Sequence, residues 1–186
     1  MKTIANGLLR GRITRWVFLA ALVVAVGASV GWMNQRQYQL GGAFIGNNGA
    51  GNIWTALQTP LDPAGRTAAL RVQQPVWNVD VAGFMGVLEA DTASDAVGQM
   101  AMISRDTAKF GSVYYYLKQG NPPTPCAIAV MNGTVKFTGP DNIQVAYTID
   151  VYAAEADADL DGYPDVGIAP ITTIPGLEPA KRVPIP

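Results

Sequence analysis

The chain has 186 residues and a formal net charge of −1, from 13 basic and 14 acidic side chains, with no histidine and one cysteine. The length fits a single domain plus a terminal segment. The missing histidine removes Ser-His-Asp and Cys-His catalysis and the usual zinc ligand, and a lone Cys126 cannot form an internal disulfide.

The charge is unevenly placed. Lys2, Arg10, Arg12 and Arg15 are the only charges before Arg36, and from there nine basic and fourteen acidic residues leave a net of −5. Nucleic acid is therefore not expected as a partner, because phosphate binding needs clustered Lys and Arg.

Trp16 to Met33 is an uncharged apolar run preceded only by cations. This pattern predicts an export signal or a membrane anchor with the amino terminus left in the cytoplasm. Its 18 residues exceed a secretory apolar region of ~7–15 and fall at the low edge of a span of ~17–25. A cleaved signal and an uncleaved anchor both stay open, with Val26-Gly27-Ala28 offering small residues for cleavage. Either way the rest of the chain is expected outside the cytoplasm, periplasmic or extracellular. An uncleaved segment would make the membrane a partner. Residues 1–33 are assigned to this segment and 34–39 to a polar joint.

Residues 40–169 read as a β-domain. Strands are expected over 40–45, 53–59 and 67–73, with turns at 47–52 and 61–65. Residues 76–95 look irregular, with one helical turn within 91–99. A strand at 100–104 turns through Arg105-Asp106-Thr107 into a second at 108–117, and 119–125 is a proline-rich loop. Residues 127–131 are apolar, and Asn132-Gly133 is the dipeptide favoured in tight hairpins, returning as 134–138. After a turn at 139–142, Ile143, Val145, Tyr147, Ile149 and Val151 alternate with Gln144, Ala146, Thr148 and Asp150, which marks a strand with one buried face. Prolines at 170, 175, 179, 184 and 186 predict an extended tail over 170–186 that wraps the domain or stays loose.

About eight strands with short links predict an all-β antiparallel meander, a small closed or half-open barrel, since closure removes exposed edges. Leu40-Gly41-Gly42-Ala43-Phe44 with Trp54 on the next strand resembles, in shape, the opening of lipocalin-type barrels. The glycine and tryptophan are spaced differently from that family's signature.

The chemistry concentrates in Asp157-Ala158-Asp159-Leu160-Asp161-Gly162-Tyr163-Pro164-Asp165. Alternate carboxylates in a coiled loop can aim their oxygens at one hard cation, and the glycine permits the sharp turn. These nine residues resemble the calcium loops of thrombospondin type 3 repeats and, less closely, the EF-hand. The resemblance implies Ca²⁺ as the cofactor, held by side-chain oxygens of Asp157, Asp159 and Asp161, the backbone carbonyl of Tyr163, and Asp165 directly or through water. The twelfth EF-hand position falls on Ile168 where a bidentate glutamate would stand. Without it the site belongs with weak extracellular ones, at ~10⁻⁴–10⁻³ M.

Tyr114-Tyr115-Tyr116 places aromatics on both faces of one strand, either as core packing or as the wall of a site for an apolar or sugar ligand. The resulting expectation is a non-catalytic domain of the cell envelope, of bacterial type, that binds a ligand or partner protein or serves structurally. The alternative is an envelope hydrolase built on a bound metal or on carboxylates such as Asp80, Glu89, Asp91 and Asp95.

Overall fold

A computed structural model describes residues 38–47, 53–73 and 90–184. The expected signal or anchor segment, most of the joint, the turn at 48–52 and residues 76–89 lie outside these. Nine strands follow in order: β1 (Gly42–Asn47), β2 (Ile53–Pro60), β3 (Thr67–Gln73), β4 (Thr92–Ala93), β5 (Ala96–Met102), β6 (Thr107–Lys118), β7 (Thr124–Phe137), β8 (Asn142–Ala153) and β9 (Thr172–Arg182). A 3-10 turn at Ala154–Ala156 follows β8.

Every pairing is antiparallel, and β1, β2, β3, β5, β6, β7, β8 and β9 each pair with the next. β9 then pairs back onto β1, which closes an eight-stranded barrel. β4 sits outside this round, paired with the far end of β6 at Leu117 and Tyr116. Following the register from Gly42 through Gln58, Leu70, Gly98, Ser112, Met131, Ile149 and Ile174 returns to β1 about ten residues further along. Strands so staggered tilt by roughly 35–45°, and an eight-stranded barrel can be filled by side chains or hold one small ligand.

Alternation decides the interior. Ile143, Val145, Ile149 and Val151 of β8 are buried and Tyr147 half-buried, while Gln144 and Thr148 are exposed, as the period of two requires. The interior divides into two apolar clusters. One gathers Phe44, Leu70, Met100, Phe110, Phe137 and Ile143, with Tyr38 stacked on Phe137 at 4.9 Å. The other gathers Tyr114, Tyr116, Ala129, Ile149 and Val151. Full burial of each large side chain stabilises the fold by ~1.5–3 kcal/mol.

Three expectations fail, each for a long-range reason. Asn132-Gly133 forms no hairpin; β7 runs straight through it. Gly133 faces Phe110 on β6 and Tyr147 on β8, and a Cβ there would lie 2.2 Å from the Ala146 carbonyl and 2.8 Å from the Phe110 ring. Packing between large neighbours, rather than turn chemistry, explains this glycine. Residues 91–99 hold no helical turn but β4 and the start of β5, and the Ser94 amide bonds the Tyr115 carbonyl.

The proline-rich run does not stay loose and is more than a wrapping tail, because Thr172–Arg182 is the closing strand. Arg182 donates its N–H to Asp141 on the β8 side, and Val183 donates to Ala43 on the β1 side. By alternation, the nitrogens of Pro175 and Pro179 face β1. Among the described residues the β1–β9 pairs run from Phe44↔Arg182 to Gly46↔Ala180, and neither proline falls within them.

Candidate metal centre

The loop that joins β8 to β9 holds the aspartates. It is pinned at its base by the Asp165 amide on the Ala156 carbonyl at 2.6 Å and by the Ile171 amide on Val151 at 2.7 Å. Within it, Asp157 accepts from the amides of Asp161 and Gly162, each at 3.0 Å. Asp159 accepts from the Asp161 amide at 3.2 Å, and Asp161 accepts from the Tyr163 amide at 2.8 Å. Short aspartate side chains bond readily to backbone a few residues on, which coils the loop. Gly162 has φ +95°, a conformation L side chains rarely adopt, and Leu160 also has a positive φ, +60°.

The result brings Asp157, Asp159 and Asp161 together, with one oxygen of each within 4.8 Å of the others. Asp157 is buried, 7% exposed, while its two companions are open to solvent. Asp165 does not join this set. Its carboxylate accepts from the Ala158 amide at 3.2 Å and so closes the loop's neck. Tyr163 is exposed, and its amide is tied to Asp161. Two unit charges 4 Å apart repel by about 1 kcal/mol in water and about 4 kcal/mol at an effective dielectric near 20. Three clustered carboxylates are thus a hard-oxygen donor set that a cation could occupy.

The loop lies beside β6. Tyr115 donates its hydroxyl to the Gly162 carbonyl at 3.4 Å, and burial, then the charges of Asp157 and Asp161, push its own ionisation upward.

A second polar constellation, which the sequence reading missed, lies inside the barrel. Glu178 on β9 is 6% exposed. It accepts from the Trp54 indole N–H at 2.5 Å and from the Tyr147 hydroxyl. Burial and the Glu178 bond both push the Tyr147 hydroxyl to ionise well above its ordinary range. Of the tyrosine triplet, Tyr114 and Tyr116 face inward, their hydroxyls 3.2 Å apart, and Tyr115 faces outward. Burial pushes Tyr114 up to about 12. The signal that could have exposed Glu178 is a lone acid at a core-parity position, hidden because its strand was read as a tail.

No family model, curated protein or solved structure matches this chain.

Proposed function

We propose that this chain is a non-catalytic β-barrel domain, exported to the cell envelope or secreted, which binds a ligand or partner or serves as a surface component. Its 157–165 loop is braced by Ca²⁺. The observation that carries the calcium reading is the convergence of Asp157, Asp159 and Asp161 within 4.8 Å, in a loop whose amides already hold the carboxylates in place. A cation there would offset the repulsion and fix the connection between the last two strands. The reading of export rests on the apolar run at 16–33 and its preceding cations.

The rival hydrolase reading has less support. The Asp91 carboxylate accepts from the Gln119 amide, and Asp95 is bound by Arg71 and Gln73. Asp80 and Glu89 lie outside the described residues. A structural ion is enclosed by its own loop, whereas a catalytic one keeps open positions toward substrate.

Calorimetric titration of the full chain tests this. Ca²⁺ should bind at ~10⁻⁴–10⁻³ M, and Mg²⁺ much more weakly because it demands a smaller octahedral shell. Asp159→Ala should abolish the heat. A silent calcium titration, or equal binding by magnesium, would overturn the calcium reading.

A further inference from the structure

The two apolar clusters are separated by a belt of interior positions with a different character. Glu178 precedes Ala180 of the first cluster, and Ser112 stands between Phe110 of the first and Tyr114 of the second. Tyr147 stands likewise between Val145 and Ile149, and Val72, Met131 and Tyr147 touch both clusters. Trp54, Val72, Met131 and Tyr147 are inward-facing yet only half-buried, beside the buried Ala56, Leu70, Ala129, Val145 and Ile149. Part of the belt's surface, on these four side chains, is therefore open rather than packed.

Its chemistry is unbalanced. Among the described residues, no cation pairs with the Glu178 carboxylate, which is served only by two neutral donors. Buried charges are ordinarily paired. A carboxylate has about four acceptor sites, and two are used here. Ser112 is 1% exposed, and its hydroxyl has no hydrogen-bond partner. Two aromatic rings lie against the wall beside the carboxylate. A Cβ on Gly46 would sit 2.3 Å from the Trp54 ring, and one on Gly176 would sit 2.1 Å from the Tyr147 ring. These glycines let both rings lie close to the neighbouring strands.

We propose that this belt is a binding site for a small organic cation, an ammonium group carried on an apolar body. Glu178 supplies the counter-charge. Trp54 and Tyr147 present aromatic surface that attracts a cation. Val72 and Met131 cover the apolar part, and Ser112 offers its unpaired hydroxyl. Anions are disfavoured by the uncompensated carboxylate. This assignment deepens the reading of the barrel as a binding domain and does not depend on the aspartate loop.

The test is calorimetric titration of the full chain, in chelator so that calcium plays no part. The probes are benzylammonium, its neutral counterpart benzyl alcohol, and benzoate. Benzylammonium should bind one to one, at least about tenfold tighter than benzyl alcohol, with benzoate silent. Glu178→Gln should erase the preference for the cation, and Ser112→Ala should weaken binding severalfold. Absence of benzylammonium binding at millimolar concentration, or equal binding of the alcohol, would overturn the proposal. The wild-type comparison and Ser112→Ala decide the matter even if Glu178→Gln does not fold. Failure here leaves the calcium titration unaffected, so the two readings fall separately.

Discussion

The two carboxylate sites are held by opposite means. Asp157 is fastened by amides four and five residues ahead of it in the same loop. Glu178 is fastened by Tyr147, 31 residues earlier, and by Trp54, 124 residues earlier. The first arrangement needs only a coiled loop. The second exists only when β9 has closed the barrel, since Trp54 is on β2 and Tyr147 on β8. Damage to the loop should thus stay local, while damage to the interior belt should loosen the whole fold.

The largest effect that would sharpen this contrast is at Trp54. Its truncation to Ala removes interior surface and one of the two donors to buried Glu178, and should cost ~3–5 kcal/mol of global stability in denaturant unfolding. Asp161→Ala, measured in chelator, should stay within about 1 kcal/mol. Equal losses would erase the distinction between the two regions.

Calcium comes next. At a hundredfold excess over its dissociation constant it should add ~2.7 kcal/mol. Asp159→Ala should lose that increment, whereas Ile149→Ala should keep it while losing ~2–5 kcal/mol of its own. Loss of the calcium increment in Ile149→Ala would show the loop and barrel to be one cooperative unit.

Smaller again is the cost of crowding the rings at the seam. Gly46→Ala and Gly176→Ala push a methyl into Trp54 and Tyr147, and each should cost ~1–3 kcal/mol in thermal unfolding. Gly111→Ala, which meets only Asn132 Oδ1 at 3.1 Å, should cost less.

The smallest effect concerns Asp62, another locally held carboxylate. Bonds from the Thr67 hydroxyl and the amides of Arg66, Thr67 and Ala64 lower its ionisation from 3.8 to about 2. A depressed folded value means stability present above 3.8 and lost as pH falls toward 2. The Asp62 carboxyl resonance should therefore titrate near 2; a midpoint at 3.8 would show that its turn bonds are not formed.

The same contrast explains what the sequence disclosed. β8 was legible because a strand with one buried face repeats every second residue. The aspartate loop was legible because its ligands lie within nine residues. β9 was obscured by prolines, which fall outside the described β1–β9 pairs set by a strand far away in sequence. Gly133 imitated a turn because the aromatic residues on β6 and β8 that demand a glycine are remote in sequence. Glu178 was invisible as a site because its partners meet only after closure. Local hydrogen bonding can be read along the chain, but burial partners set by the register of distant strands cannot.

The central claim is that a cation braces the loop while the barrel stands by its own packing. Amide hydrogen exchange of the full chain, with Ca²⁺ and with chelator, tests this most directly. Calcium should raise protection at Asp161, Gly162 and Tyr163, whose amides bond the aspartates, while the amides of β2 and β6 should already be protected in chelator. No change at those three amides, or loss of protection in β2 and β6 when calcium is chelated, would contradict the account.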